Sequence, residues 1–413
     1  MKILLINSLH HRRGGADVVY LNTGELLESF GHEIIYFSQS HENNYHCSTE
    51  KYFIKKVSFF NNNIFRKLFS IPRFFYSFES YRKLEKLILF SKPSIAHIHL
   101  FKGYLTPSIF RVLKKYNIPT VLTIHDYGYI CPHNLLLDGH MLICEKCVNS
   151  YSFNCVIHKC NRGSYLFSLL STFEFIYQKY LFPPKKYLNK IISVSKFSEK
   201  LHIKSVFDTS LMTHIYNFSP IVSGDYYSCY DSYSNEKYFL FFGRLSKEKG
   251  IDTLISAWSK RERKTVLKIV GIGSEYNRIK RLSEEFKNIE VIGFKDGEEL
   301  KAIIKNSFFV IIPSEWYENN PMTIIESYAY GIPVIGSKIA GIPEIVNDKN
   351  TGFLFEMKNS LELSDIIEYV ENISNEEYNR MSINAKEFYN KYFHPNKHYI
   401  ELMNLYTHVI YPP

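Results

Sequence analysis

The sequence predicts an α/β protein with two Rossmann-like domains, each built on a parallel sheet. Short apolar runs alternate with amphipathic helical stretches along both halves of the chain, as expected for strands joined by helical crossovers. A polar, Ser- and Tyr-rich stretch at residues 219–237 interrupts the alternation, which then begins again. The 413 residues and 45% hydrophobic content are enough for two domains with substantial cores.

The first domain begins with a predicted β-α-β unit. Residues 2–7 form a strand, a Gly-containing turn follows, and the apolar residues from Ala16 to Phe30 share one helical face. Gly31 is suited to end that helix, and the next strand covers residues 33–37. Later strands are predicted over residues 95–99, 120–124 and 191–194, with a helix at 108–116.

The second half repeats this pattern, and the chain closes with one more helix. Strands are predicted over residues 238–242, 266–270, 289–292, 308–312, 333–336 and 352–355, and helices over 250–259, 275–286, 298–305 and 322–330. The last helix, 397–409, carries Leu402, Leu405, Tyr406 and Val409 on one face, so it must pack against something.

These elements predict three parts of the chain. Residues 1–220 form the first domain, with a Cys-rich insert at about 131–160, and residues 221–395 form the second. The helix in residues 396–413 is expected to pack back toward the first domain.

Basic residues are concentrated in one segment of the first domain. Between Lys51 and Lys115 there are fourteen Lys or Arg residues and two acids, whereas the whole chain has a net charge of +9. Aromatic residues are interleaved with the bases at 55–78, a composition suited to anionic lipid headgroups. The alternatives are a solvated basic face over an aromatic core and nucleic-acid binding, for which the chain has no recognition motif. We therefore expect an anionic membrane surface, not nucleic acid, as a partner.

No signal peptide or membrane span is expected. The first apolar run, residues 3–6, is too short for a signal peptide, and two arginines follow it. No run approaches the roughly 18–20 apolar residues that cross a bilayer. The sequence predicts a cytoplasmic protein that is either soluble or peripheral at the inner face of the cell membrane.

Two glutamates and a proline form the strongest constellation of candidate site residues. Glu318 and Glu326 are separated by seven residues, and Pro321 stands where a helix would begin. Glu318 is therefore predicted on the loop before the helix and Glu326 inside it. The amides of Met322 and Thr323, in the first turn, would face an anion in front of the helix. The pair alone would more often be two surface glutamates.

A second constellation follows the first strand of the second domain. The segment FFGRLSKEKGIDTLI, residues 241–255, places Arg244 and Lys249 in the loop between a strand and a helix. A guanidinium and an ammonium at the carboxyl end of a parallel strand are suited to a diphosphate. In isolation such a loop would more often be solvated.

Taken together in order, these segments resemble the family 4 retaining glycosyltransferases of the GT-B fold, over nearly the whole chain. The resemblance rests on GRLSKEKG, on VGIGSE at 270–275, on VIGF at 291–294, on the two spaced glutamates and on AGIPEIV at 340–346. It implies two facing Rossmann-like domains with a cleft between them. It also implies transfer of a hexose-type sugar from a nucleotide-diphosphate sugar to an acceptor hydroxyl, with retention of the anomeric configuration.

The resemblance also implies a role for each candidate donor-site residue. Arg244 and Lys249 would contact the donor diphosphate, Glu326 the ribose, and Glu318 the transferred sugar as a catalytic residue. The backbone of Asn320, Pro321, Met322 and Thr323 would hold the sugar hydroxyls and phosphate oxygens. Gly293 and Phe294 would lie near the base. The acceptor is expected to be a saccharide or a lipid-linked saccharide, as in polysaccharide assembly.

Two features of the first domain match the same family. Gly14 and Gly15 follow the first strand and begin a helix, so a ligand could approach the backbone closely there. His125, at the end of a strand in TIHDYGYICP, is placed beside the reaction centre in similar enzymes. A lone histidine is more often structural, but one at a strand's carboxyl end is a better catalytic candidate.

No metal is expected for catalysis. The chain has no Asp followed two residues later by another Asp, the metal-binding pattern of the other main glycosyltransferase fold. Positive side chains and helix ends would then neutralise the charge on the leaving diphosphate.

Five of the seven cysteines fall within residues 131–160. Cys131, Cys144, Cys147 and Cys160 form a candidate set of ligands for a structural zinc ion, since disulfides are not expected without secretion. Only one C-x2-C pair is present, so free thiols in an acceptor-binding loop are the alternative.

Other functions predict different features. A nucleotide-sugar epimerase or another GT-B enzyme would share much of the donor-site pattern. A basic nucleic-acid-binding protein would bind polynucleotides in a steeply salt-dependent way. A nicotinamide-dependent dehydrogenase is disfavoured, because no G-x-G-x-x-G follows the first strand.

Overall fold

The computed structural model describes residues 1–56, 72–148, 150–221 and 237–412. These residues form two compact units. The first comprises Met1–Tyr216 and His398–Pro413, and the second comprises Asn217–Lys397. The divisions fall next to the boundaries at 220 and 395 expected from the sequence.

The first unit contains a six-stranded sheet in which every neighbouring pair of strands is parallel. Its strands are β1 (Lys2–Ile6), β2 (Glu33–Phe37), β3 (Ile95–Ile98), β4 (Thr120–Ile124), β5 (Lys190–Ser193) and β6 (Met212–His214), and the order across the sheet is β2-β1-β3-β4-β5-β6. Its helices are α1 (Gly15–Ser29), α2 (Phe78–Ser91), α3 (Ser108–Lys115), α4 (Asn154–Ile157), α5 (Tyr165–Leu181), α6 (Pro184–Tyr187) and α7 (Lys196–Ser205).

Alternation along β1 shows how helices cover both faces of this sheet. Leu4 and Ile6 are buried in a core formed with α2 and α3, whereas Ile3 and Leu5 are buried in a second core. The second core includes α1 and four residues near the chain's C-terminus, Leu402, Leu405, Tyr406 and Val409. Successive side chains on a strand point to opposite faces, so the sheet is sandwiched between two helical layers.

The second unit contains another six-stranded sheet with parallel neighbours, in the order β12-β11-β10-β7-β8-β9. The strands are β7 (Tyr238–Phe242), β8 (Val266–Val270), β9 (Ile289–Gly293), β10 (Phe309–Ile312), β11 (Val334–Ser337) and β12 (Gly352–Phe355). Its helices are α8 (Ile251–Ser259), α9 (Tyr276–Ser283), α10 (Gly297–Lys305), α11 (Met322–Ala329), α12 (Ile342–Ile345), α13 (Ser360–Glu371) and α14 (Asn375–Tyr392). The last helix, α15 (Pro395–Ile410), belongs to the first unit from His398 onward.

The predicted α/β class and the two Rossmann-like domains are confirmed, with strand bounds within one or two residues of the predictions. Several elements were not predicted: β6, which has only three residues, the longer helices α2, α5, α7, α13 and α14, and the short helices α4, α6 and α12. In the described part of the chain, no helix is both long enough and apolar enough to cross a membrane.

Candidate donor and reaction site

In the second unit, the predicted site residues lie on loops that follow neighbouring strands. The loop after β7 carries Arg244 and Lys249, the loop after β10 carries Glu318, and Phe294 directly follows β9. All strands of this sheet run parallel, so their carboxyl ends meet at one edge. Open α/β sheets bind ligands at this edge.

Glycine brings the loops after β7 and β10 into contact. Gly250 has a φ of +68°, and a Cβ there would lie 1.8 Å from the carbonyl oxygen of Pro313. No side chain fits, so only glycine allows this approach. The backbone amide of Glu315 also donates to the carbonyl oxygen of Glu248, with N and O 2.8 Å apart. The two motifs, about seventy residues apart in the sequence, are therefore in direct backbone contact.

Lys249 and Glu318 form an ion pair across these loops. Lys249 Nζ lies 2.6 Å from Glu318 Oε1, and the side chains are only 22% and 8% exposed. Ser314 Oγ donates to the same carboxylate oxygen at 2.8 Å. Burial alone would raise the pKa of Glu318, but the Lys249 ammonium and the hydrogen bond from Ser314 hold it below its ordinary value. The carboxylate is therefore charged at neutral pH and can accept hydrogen bonds from hydroxyl groups.

Arg244 is held in place by a residue that the sequence analysis did not single out. Its guanidinium Nη2 lies 2.7 Å from Oε1 of Glu248, whose side chain is 6% exposed. Ser246 Oγ donates to the same oxygen at 2.6 Å. The Arg244 side chain is 59% exposed, so the guanidinium is anchored on one side and accessible to an anionic ligand on the other. Such a fork is suited to phosphate oxygens.

The start of α11 completes this group of residues. Pro321 has a φ of −65° and directly precedes the helix, and Met322 and Thr323 form its first positions. Amides in the first turn of a helix have no partner within that helix, and together with the helix dipole they favour an anion. Glu326 lies one turn further along α11 and is half-buried.

Asn320, just before this helix, is fixed by its neighbour Asn217. The amide of Asn217 donates to Asn320 Oδ1 at 2.8 Å, and Asn217 Nδ2 donates to the carbonyl oxygen of Asn320 at 3.2 Å. The other end of the Asn320 side chain, Nδ2, is buried and has no hydrogen-bond partner among the described residues. A buried donor without a partner is costly, which is the arrangement expected where a ligand supplies the acceptor.

Two further glycines shape the remaining loops. A Cβ on Gly341 would lie 1.8 Å from the carbonyl oxygen of Asn319, while the amide of Gly341 donates to the carbonyl oxygen of Glu318 at 2.9 Å. Gly293 ends β9 with a φ of +87°, and Phe294 beyond it is largely exposed. An exposed ring at the carboxyl edge of a sheet can stack on a planar base.

In the first unit, His125 pairs with a second histidine that the sequence analysis did not name. Nδ1 of His99 lies 2.9 Å from Nε2 of His125, and the rings are stacked with centroids 5.2 Å apart. These residues follow the neighbouring strands β3 and β4. Burial lowers the pKa of His125 to about 4 and that of His99 well below its ordinary value. Both imidazoles are therefore neutral at neutral pH, and a neutral imidazole can accept a hydrogen bond from a hydroxyl.

Gly15 begins α1 beside a structured turn. The amide of Gly14 donates to Asp17 Oδ2 at 3.2 Å, and Asn7 Nδ2 donates to Asp17 Oδ1 at 2.8 Å. Asn7 in turn accepts a hydrogen bond from the amide of Leu100 at 3.0 Å. These contacts tie the loops after β1 and β3 together at the carboxyl edge of the first sheet.

The cysteine-rich insert brings its described thiols close together, and the zinc set Cys131, Cys144, Cys147 and Cys160 stays a prediction. Among the described residues, no three His, Cys, Asp or Glu side chains are grouped as metal ligands. Cys147, Cys155 and Cys160 pack together as a buried cluster, and Cys131 and Cys144 interact electrostatically with Cys147. Burial raises the pKa of Cys131 to about 11 and of Cys147 to about 12. These thiols are therefore protonated at neutral pH and pack as small apolar side chains.

Comparison with known proteins decides the family. Residues 13–218 match the model described as Glycosyltransferase Family 4, and residues 230–388 match the model described as Glycosyl transferases group 1. The chain belongs to the family 4 glycosyltransferases. An uncharacterized glycosyltransferase of Methanocaldococcus jannaschii is 26% identical over 95% of this chain and 94% of its own length.

Solved structures support the GT-B fold that the resemblance predicts. A glycosyltransferase from Rickettsia africae matches 100% of this chain and 99% of its own with a TM-score of 0.71, at 19% identity. The Anabaena protein HepE, solved in complex with UDP-glucose, matches 98% of this chain and 99% of its own with a TM-score of 0.65, at 16% identity. At these identities the likeness shows the fold alone.

Proposed function

We propose that this family 4 glycosyltransferase moves a hexose-type sugar from a nucleotide-diphosphate sugar to an acceptor hydroxyl, with retention of the anomeric configuration. The observation that carries the proposal is the buried ion pair between Lys249 and Glu318. It joins a charged carboxylate in the loop before α11 to the loop that also carries Arg244. The complex of HepE with UDP-glucose supports a uridine nucleotide as the first donor to test.

The roles proposed for the donor site follow the charges of its residues. Arg244 and Lys249 neutralise the diphosphate as it leaves, together with the amides of Met322 and Thr323. Glu318 accepts hydrogen bonds from the transferred sugar and Glu326 from the ribose. Asn320 and Pro321 shape the loop around the phosphate oxygens, and the base lies near Gly293 and Phe294. These groups supply the positive charge, so we propose that catalysis needs no metal.

The proposed reaction exchanges one bond to the anomeric carbon for another. The acceptor oxygen forms a bond to that carbon while the bond to the diphosphate oxygen breaks on the same face of the sugar. The acceptor's proton passes to the departing diphosphate, so a protonated nucleoside diphosphate leaves. Positive charge develops on the sugar during this step. In this proposal, His125 lies beside the reaction centre, and Gly15 lines the approach to it.

Three variants separate donor binding from turnover. Arg244→Ala and Glu326→Ala each remove a charged hydrogen bond to the donor, so we expect donor affinity to fall roughly 10- to 150-fold. His125→Ala is expected to keep the donor affinity and to lower turnover, because in this proposal the His125 side chain acts at the reacting atoms. Calorimetric titration with UDP-sugars and steady-state kinetics measure the two effects separately.

Arg281→Ala provides the matched control. Arg281 is an exposed arginine of the same unit and lies near the end of α9. Its donor affinity should equal that of the wild type. Unchanged affinity in both Arg244→Ala and Glu326→Ala would refute the donor-site assignment. Unchanged turnover in His125→Ala would make that residue structural.

We also propose that the enzyme works at an anionic membrane surface on a lipid-linked or cell-surface saccharide. Most of the basic aromatic segment at 55–78, on which this prediction rests, lies outside the described residues. Another surface supports the proposal: Leu166, Phe173 and Tyr180 are exposed at seven-residue intervals on α5, so they form one stripe. Lys159, beside the stripe, lies with its Nζ 4.4 Å from the centroid of the Tyr165 ring.

Substitution of this stripe should weaken binding to anionic vesicles. We expect Leu166→Ala/Tyr180→Ala to reduce cosedimentation with phosphatidylglycerol vesicles severalfold, because exposed apolar and aromatic side chains insert at the interface. Leu361→Ala/Tyr369→Ala, two exposed residues of the same types on α13, is the control and should bind like the wild type. Equal, negligible binding of the wild type to anionic and to neutral vesicles would reject membrane docking.

A further inference from the structure

A basic pocket lies at the carboxyl edge of the sheet in the first unit. Loops that follow β1, β2 and β3 enclose a cavity of about 370 Å³, within the size range of small-molecule sites. Its lining comprises Leu9, His11, Arg12, Arg13, Gln39, His41, Asn43, Lys56 and Tyr104. None of the roles proposed for the donor site uses these residues.

The lining carries positive charge without a carboxylate. Arg12, Arg13 and Lys56 contribute three permanent positive charges, and the rings of His11 and His41 face each other with centroids 4.4 Å apart. Glu25 lies 3.7 Å from Arg12 and Glu42 lies 3.5 Å from Lys56, but both carboxylates are mostly exposed. Both ion pairs are exposed and therefore weak, so an anionic ligand could compete with these carboxylates for the bases of the pocket.

His41 lies close to two other basic side chains of the lining. The pKa of His41 is lowered first by burial and then by His11 and Lys56. An anion in the cavity would interact favourably with all of these groups at once. Arg12 and Arg13 offer planar guanidinium groups that match phosphate oxygens, and Lys56 offers a point charge. The neutral polar side chains of the lining, Gln39, Asn43 and Tyr104, can hydrogen-bond to sugar hydroxyls.

The pocket and His125 lie along the same edge of the first sheet. In the sheet order, β3 lies between β1, whose loop lines the pocket, and β4, which His125 follows. An acceptor held by an anionic group in the pocket would extend along the same edge toward His125.

We propose that this basic pocket binds a phosphate group of the acceptor, so that the acceptor is a phosphorylated or phosphate-linked saccharide. The inference rests on the proposed glycosyltransferase function and specifies its acceptor class. The phosphate belongs either to a soluble sugar phosphate or to a lipid phosphate, because both present the same anion to the pocket.

Inorganic pyrophosphate is the probe for the first experiment, in calorimetric titrations of the full chain. The wild type is expected to show two classes of site, the pocket and the donor site. Arg13→Gln/Lys56→Gln should weaken the pocket class tenfold or more, because each substitution removes a charged hydrogen bond. Arg244→Ala should weaken only the donor class. Arg82→Gln/Lys86→Gln, an exposed pair on α2, is the matched control and should leave both classes unchanged.

A second pair of titrations distinguishes the sources of the phosphate. Glucose 6-phosphate tests a soluble acceptor, and phosphatidylcholine vesicles containing phosphatidic acid test a lipid phosphate. Loss of binding to either probe in Arg13→Gln/Lys56→Gln supports the pocket and identifies the source. Pyrophosphate titrations of this variant that match the wild type would overturn the proposal.

The acceptor inference and the proposed function fail in different ways. If only the inference is wrong, Arg13→Gln/Lys56→Gln keeps wild-type donor affinity, wild-type pyrophosphate binding and wild-type transfer. If the proposed function is wrong, the wild type itself binds no nucleotide sugar. Thermal unfolding of each variant checks that it folds like the wild type.

Discussion

Replacing Lys249 with methionine is expected to weaken donor binding at least 100-fold and to lower the stability of the second unit by about 3–5 kcal/mol. The substitution leaves Glu318, whose side chain is 8% exposed, without the ammonium that lies 2.6 Å away. A buried carboxylate without its partner is strongly unfavourable, and the donor also loses a positive contact. Urea unfolding and calorimetric donor titration measure the two losses.

The double variant Lys249→Met/Glu318→Gln separates stability from binding. Removing both charges should restore most of the stability, because no buried charge remains unpaired. Donor binding should stay weak, since neither the ammonium nor the carboxylate is present. If Lys249→Met alone kept wild-type stability and wild-type donor affinity, the Lys249–Glu318 pair would be neither buried in solution nor part of the donor site.

Acidification is expected to unfold the first unit at a higher pH than protonation of its carboxylates alone would. Burial strongly lowers the pKa values of seven histidines in the described part of this unit from the ordinary value of 6.5. The pKa of His97 falls to about 3 and that of His99 falls well below 6.5. The pKa falls to about 4 for His10, His125, His202, His214 and His398.

The sign of the effect follows from proton uptake. Between about pH 6.5 and pH 4 the unfolded chain binds protons at these histidines and the folded chain does not. Stability is therefore full above pH 6.5 and falls as the pH decreases through this window. Each histidine contributes roughly 2 kcal/mol of loss by pH 5. Unfolding midpoints measured from pH 7.5 to pH 4.5 should fall steeply.

One buried histidine can be tested singly. His97 lies with Nδ1 2.7 Å from the Tyr406 hydroxyl and Nε2 2.7 Å from Thr123 Oγ1. His97→Gln keeps a polar side chain but removes one titrating group, so the stability should depend on pH with a slope smaller by about one proton. His408→Gln, at an exposed position on α15, is the control and should keep the wild-type slope. A pH-independent midpoint in the wild type would contradict the burial of these histidines.

The fold was predictable because the spacing of apolar residues and the residue types indicate the same secondary structure along most of the chain. Apolar runs such as Thr120 to Ile124 are buried strands, and their bounds can be read from sequence. Helix α5 escaped prediction because apolar residues occupy nearly all of its faces, which blurs the helical period. Strand β6 has three residues, Met212–His214, and only its pairing with β5 makes it a strand.

The candidate site was predictable as residue types but not as contacts. Lys249 and Glu318 stand 69 positions apart, and their pairing depends on the close approach of Gly250 to the Pro313 carbonyl. Glu248 was not singled out from the sequence, yet the side chains of Ser246 and Arg244 donate hydrogen bonds to its buried carboxylate. His99 could have been found, because it follows a strand just as His125 does. The zinc site stays a prediction, because cysteine spacing alone does not determine how thiols are oriented.

The proposed use of a nucleotide sugar is tested most directly by calorimetric titration of the wild type and of Lys249→Met/Glu318→Gln with UDP-glucose, other UDP-sugars and their GDP counterparts. The stability of this double variant is expected to be close to that of the wild type, so a loss of binding reports on the site itself. We predict one-to-one binding of at least one nucleotide sugar to the wild type and at least 100-fold weaker binding to the variant. Absence of binding to every member of the set, or equal binding by the two proteins, would contradict the account.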